Sequence, residues 1–251
     1  MMVTKLRPRH RQTEIAYRGL DKNGQRRGGP QPRAGRPPIT PGKRRPAHKK
    51  RPDVDARYPL HITLPVLGSV PHLRTSDLYD AIKYALRMCG VKDDFQIVHH
   101  SVQGNHIHLV VEATSKTALW RGVRAFEISA ARHINKTISA RYGRRRRGQV
   151  FADRYHAVPI TSPKQMRTVL AYVFCNWRHH YGNRGRPLFD GKLDPFSSAI
   201  WFPGWKERTT PVIHVPPDYD PPPRCTPRTW MLAEGWKRAP GGLISVWYVP
   251  K

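Results

Sequence analysis

Two histidines one residue apart, His106 and His108 in SVQGNHIHLVVEA, are the residues whose spacing most directly permits chemistry. They lie in an apolar run just after a glycine turn. Alternate residues of a strand project from one face, about 7 Å apart at the backbone. Two neutral imidazoles at that separation can share one metal ion. A second pair, Tyr172 and Asn176 in VLAYVFCNWRHH, follows about 64 residues later. Four residues apart, they share one edge of a helix, beside the apolar stripe of Val169, Leu170, Val173, Phe174 and Trp177. A tyrosine at such a border ordinarily buries its ring and leaves its hydroxyl wet. Tyr155 in ADRYHA is a rival for any nucleophilic role, with Arg154 and His156 adjacent. Strand alternation, however, sends Arg154 to the face opposite Tyr155. His61, His99 and His100 read as sheet or surface histidines, one of which has room to support the metal pair from behind. His180 falls near the Asn176 direction as an alternative ligand.

The elements that must position these groups follow from periodicity. HITLPVLG (61–68) reads as a first strand that Pro65 places at an edge or ends early. SDLYDAIKYALRMCG reads as a helix capped by Ser76 or Asp77, with Leu78, Ile82, Ala85 and Leu86 as its stripe and Gly90 as its stop. DFQIVHHSVQG and NHIHLVVEA form two strands around a tight turn at Gly104-Asn105. A helix spans Thr117 to Ser139, with Leu119, Val123, Phe126, Ala130 and Ile134 at spacings of three and four. QVFADRYHAVPI is a fourth strand, and a last helix runs from the Ser162 cap and Pro163 to Gly182. The order β-α-β-β-α-β-α predicts an α+β fold, a ferredoxin-like split βαβ sheet of four antiparallel strands with an added C-terminal helix.

The chain has 251 residues and a formal net charge of +28. Such a balance calls for a polyanionic partner, nucleic acid first. Residues 1–57 read as a disordered basic arm gripping phosphates non-specifically. Residues 58–182 form the ordered domain, and 183–251 a Pro/Trp-rich basic extension expected to wrap it through Trp201, Trp205, Trp230, Trp236 and Trp247. The loop Arg144, Arg145, Arg146 and Arg147 reads as a phosphate clamp, extended by Arg154, Lys164, Arg167 and Arg178. The N-terminus MMVTKLRPRHRQ has no apolar core, and no run of 18 apolar residues occurs, so neither signal peptide nor membrane partner is expected. Three scattered cysteines, Cys89, Cys175 and Cys225, fit a reducing cytoplasm.

Together, GNHIHLVVEA, GQVFADRYHAVPI and VLAYVFCNWRHH resemble the REP-associated tyrosine transposases of the single-tyrosine HUH (His-hydrophobic-His) superfamily. The resemblance spans about residues 58–182. It implies a ferredoxin-like fold, Tyr172 as the nucleophile, and His106, His108 and Asn176 as ligands of Mg²⁺ or Mn²⁺. The implied reaction nicks single-stranded, hairpin-forming DNA, leaving a 5′-phosphotyrosine and a free 3′-hydroxyl, and rejoins the strand without ATP. A bacterial, nucleoid-associated setting follows. A monomer is favoured and a dimer remains open, as does use of Tyr172 in cis or in trans. Relatives carry proline after the asparagine, whereas Trp177 stands here, so the helix is expected to continue. The alternative is a host-adapted DNA-hairpin-binding protein without turnover. A metal-dependent hydrolase fits poorly, because Val110 stands where histidine-triad hydrolases want a third histidine and binuclear sites want acidic ligands.

Overall fold

Pro65 ends the first strand and so decides how far its neighbour can pair, because proline has no N–H to give a ladder. That strand is β1 (Leu60–Pro65), followed by α1 (Ser76–Cys89), β2 (Phe95–Val102), β3 (His106–Ala113), α2 (Lys116–Tyr142), β4 (His156–Pro159) and α3 (Pro163–Gly182). The structure is a computed structural model and describes residues 53–152, 154–182, 193–207 and 219–250, with the side chains of 179–182 excepted. Nearly all of the basic arm therefore lies outside the described residues, as does the side chain of His180. The sheet order is β2-β3-β1-β4 with every neighbouring pair antiparallel, the expected ferredoxin-like arrangement. Among the described residues no helix is long and apolar enough to cross a membrane.

Alternation sorts the strands onto two faces. Leu60, Ile62 and Leu64 of β1, with Ile107, Leu109 and Val111 of β3, are buried beneath α1 and α2. The stripes anticipated on those helices meet them: Leu78, Ile82 and Leu86 from α1, and Leu119, Val123, Phe126 and Ile134 from α2. Each large apolar side chain so buried contributes about 1.5–3 kcal/mol. Gly122 lets α2 ride close on the sheet, since a Cβ there would stand 2.2 Å from the Phe95 ring.

The opposite face carries α3, which is enclosed almost all round. From Leu170 to Arg178 every residue but Tyr172 is buried. A helix apolar on all sides needs cover on all sides, and the C-terminal extension provides it. Phe202, Trp205, Met231, Leu232, Trp236, Ile244 and Val246 share one core with Leu170, Val173, Phe174 and Cys175. Polar ties fasten the cover. Glu112 accepts from the backbone N–H and the hydroxyl of Thr229, both at 2.7 Å, and Asp194 takes Arg74 through both oxygens. Arg167 donates to the carbonyls of Gly241, Gly242 and Leu243, and Arg178 to that of Val246. These two arginines, expected on a phosphate track, are held by the extension instead.

Three local expectations shift. The fourth strand is shorter than anticipated: β4 pairs with Leu60–Thr63 only, and upstream of it Phe151 makes an isolated bridge to Val66 beyond Pro65. The α1 cap falls on Thr75, and Asp77 accepts from the Leu78 N–H at 2.9 Å. In β2 the register slips between Ile97 and His99. This bulge turns both Val98 and His99 towards α3, while His100 meets Tyr79 of α1. The Ser162 cap holds as read, its hydroxyl accepting from Gln165 N at 3.2 Å, and α3 continues past Trp177.

Burial pushes the His99 and His100 imidazoles down to about 3. Unfolded, each titrates near 6.5. Below that pH the unfolded chain takes up protons that the fold refuses, so this stability is full above about 6.5 and is lost as pH falls towards 3. Each residue removes about 2 kcal/mol by pH 5. The urea midpoint should fall between pH 7.5 and 5, and fall less in His99→Leu; a level midpoint would mean that the imidazoles reach water.

Candidate active site

His106 and His108 stand on the β3 face that looks away from α1 and α2, the face that also carries Val110 and Glu112. Their rings are nearly perpendicular, with centroids 4.6 Å apart, and their Nε2 atoms approach to 2.9 Å. Two such nitrogens cannot both aim lone pairs at each other, so a proton or a cation has to lie between them.

The other ring nitrogens are engaged from behind. His106 Nδ1 lies 2.7 Å from the Asn105 side-chain oxygen, which can only accept, so the proton sits on Nδ1 and Nε2 keeps its lone pair. His108 Nδ1 lies 3.1 Å from His61 Nε2 and 3.3 Å from the Thr63 hydroxyl. Thr63 pairs with His108 on one side and His156 on the other, placing all three in one cross-strand row. Burial lowers His61 to about 4, helped by the charges of His156 and His106. It is thus a neutral imidazole at ordinary pH.

Tyr172 reaches this cluster from α3. Its ring stands edge-on to His108 with centroids 5.2 Å apart, and 6.2 Å from His61. It is half-buried, in a helix whose neighbouring residues are sealed. Asn176 is buried one turn further along the same helix. Tyr155 joins the core on the α1 and α2 side, away from the histidine face. Among the described residues no three His, Cys, Asp or Glu side chains form a metal-binding group. A cation here would therefore take two imidazoles and complete its shell with amide or solvent oxygen.

The basic groups divide. Arg144, Arg145 and Arg147 are exposed, whereas Arg146 is tied back to Asn135 and, through its N–H, to the Ser139 hydroxyl. The loop leads into Val150, whose carbonyl accepts from Leu67 N, while Val66 N donates to Asn105 O. The arginine loop thus arrives at the His106 end of the sheet. Arg154 and Lys164 are exposed, and Lys164 lies two turns before Tyr172 on α3.

The sequence pattern gives Thr63 no role and Asn105 only a place in the turn, and it leaves His61 among the candidate supports. The sign was present: His61 and Thr63 repeat on β1 the period-two spacing of His106 and His108 on β3. Only strand register shows that the two pairs are neighbours.

Comparison with known proteins places these elements in context. Residues 58–176 match the family described as Transposase IS200 like. Among solved structures, the chain is similar to a REP-associated tyrosine transposase bound to a REP hairpin, at 17% identity and a TM-score of 0.41, over 72% of this chain and 99% of that one. It is also similar to a protein of Deinococcus radiodurans R1 described as a candidate transposase, at 13% identity and a TM-score of 0.33, over 57% and 98% of the two chains. No curated protein sequence matches.

The supports behind the two imidazoles predict their tautomers. With diamagnetic Zn²⁺ added at pH 7.5, long-range ¹H–¹⁵N correlation spectra should show both His106 and His108 protonated at Nδ1. A proton on Nε2 of either ring would exclude it as a ligand.

Proposed function

We propose that this chain, whose residues 58–176 match the family described as Transposase IS200 like, nicks and rejoins single-stranded, hairpin-forming DNA with Tyr172 as its nucleophile. One observation carries the reading: two imidazoles of β3 and one phenol of α3 meet on a single face of the sheet.

The donors suit a divalent ion. Ligands at cis positions about 2.1 Å from one metal lie about 3 Å apart, and the Nε2 atoms of His106 and His108 are 2.9 Å apart. These two nitrogens, with the amide oxygen of Asn176, are the residues that would hold Mg²⁺ or Mn²⁺. When bound, such an ion draws charge from a non-bridging phosphate oxygen and makes phosphorus more electrophilic. Asn105, His61 and Thr63 fix the ring orientations, as supporting partners of metal-binding histidines do.

Tyr172 supplies the attacking oxygen. Its phenol loses a proton as the new O–P bond forms, and the bond from phosphorus to the 3′-oxygen breaks. The leaving oxygen takes up a proton and departs as a free 3′-hydroxyl, with the 5′-phosphate held on Tyr172. Because the link conserves the phosphodiester, a second 3′-hydroxyl can reverse the exchange without ATP. Arg144, Arg145, Arg147, Arg154 and Lys164 supply cations for the flanking phosphates, supported by the net charge of +28. Arg167 and Arg178 serve the scaffold that holds α3.

The test is a labelled hairpin oligonucleotide incubated with Mn²⁺ and run on a denaturing gel. Wild type should form a protein–DNA adduct that Tyr172→Phe abolishes while retaining a native-gel shift; Tyr155→Phe should keep the adduct. Binding without any adduct would instead favour the hairpin-binding protein without turnover. His106→Ala and His108→Ala should each lose metal-dependent cleavage, and normal cleavage by either would remove it from the ligand set.

The contact of Tyr172 with His108 of its own chain supports cleavage in cis by a monomer. Mixing Tyr172→Phe with His108→Ala should yield no adduct. Recovery of a substantial fraction of wild-type activity would mean that the helix is exchanged between subunits.

A further inference from the structure

A cleft of about 450 Å³ lies beside the histidine pair, between the β1–α1 connection and the β2–β3 turn. That volume falls within the ordinary range of about 300–1,000 Å³ for small-ligand pockets. Its walls include His72, Gln103, Asn105, Trp177 and Phe196. We propose that it receives the unpaired base of the nucleotide adjoining the phosphodiester cut by Tyr172, and imposes a base preference at that one position. This inference rests on the strand-cleavage reading above.

Position comes first. Asn105 is at once a wall of the cleft and the hydrogen-bond partner of His106 at 2.7 Å. A nucleotide whose phosphate lies at the histidine pair has its own or its neighbour's base within reach of that wall. The cleft is also built rather than incidental. Leu73 N donates to Gly104 O at 3.0 Å and Val66 N to Asn105 O at 2.8 Å, which lock the two connections together. His72 packs so tightly on the turn that a Cβ at Gly104 would stand 2.4 Å from its Nε2.

Chemistry selects the occupant. A phosphate subsite needs an uncommitted cation, but the one arginine in the wall, Arg74, is paired with both oxygens of Asp194 and with Val102 O. Its guanidinium also lies over the Phe196 ring, 4.7 Å from the centroid. Beside Leu67, Val70 and two glycines, the lining consists of flat rings (Trp177, Phe196, His72) and amides (Gln103, Asn105). That combination suits a planar heteroaromatic ring with hydrogen-bonding edges, which is the chemistry of an unstacked base.

An abasic scan tests the assignment. A single abasic site is moved along the oligonucleotide across the cut, and both adduct formation and binding to the Tyr172→Phe protein are measured. At one position next to the cut, wild type should lose about 10–100-fold, the usual worth of one stacked base. In His72→Ala, an exposed position whose change leaves the core intact, the loss should shrink to about threefold or less; Trp177→Leu should behave alike. Equal losses in wild type and His72→Ala, or no sensitive position, would overturn the cleft while leaving strand cleavage standing. Absence of any adduct with intact oligonucleotides would overturn the cleavage reading, and the cleft's assignment with it.

Discussion

Two imidazole nitrogens held 2.9 Å apart make a demand that the rest of the molecule is arranged to meet. Left in water, the rings of His106 and His108 would rotate away from each other. Here each is pinned through its second nitrogen, by Asn105 on the turn and by His61 and Thr63 on the neighbouring strand. Cross-strand pairing of β1 with β3 is what brings His61 and Thr63 to that place. The sheet therefore does more than carry the histidines; it sets their orientation and leaves positive charge as the natural filling between them.

The second demand is that α3 stay on this sheet. Its apolar circumference would be a liability on a bare helix, since lying on the sheet covers one side only. Phe202, Trp205, Trp236, Ile244 and Val246 of the extension cover the other, and the ties from Arg167, Arg178 and Glu112 bind that cover to the helix and to β3. Tyr172 is the one residue between Leu170 and Arg178 that escapes burial, and it escapes on the side facing the histidines. Such an opening is what the proposed role requires of this phenol, which would have to exchange a proton and meet a large substrate. The extension, which composition expected only to wrap the domain, thus acts on the site by closing the rest of the helix.

Much of this was legible without coordinates, for reasons that differ by residue. The order of strands and helices followed from periods of two and 3.6, which survive in any environment. The shared face of His106 and His108 followed from the strand period alone. The edge position of Tyr172 and Asn176 followed from the helical period. Arg167 and Arg178 show the opposite case. An arginine on a helix in a chain of charge +28 looks like a phosphate contact, and nothing local reveals that backbone carbonyls about 70 residues away accept its protons. The bulge at Val98 and His99 was equally hidden, because an extra residue in a strand leaves the apolar pattern almost unchanged. Ala171 and Cys175 on the outer side of α3 were the available hint that the helix needed a second cover.

The sequence by itself determined which side chains share an element and a face, since both depend on backbone geometry repeating every two or 3.6 residues. It determined the sheet's split βαβ order through the succession of those elements. Tertiary structure alone decided that His61 stands behind His108, that Tyr155 turns into the core while Tyr172 turns to the histidines, and that the extension consumes two arginines. Each of these is a meeting between residues distant along the chain. Such contacts are set by strand register and by which surfaces must be covered, and neither leaves a periodic trace in the segments that take part.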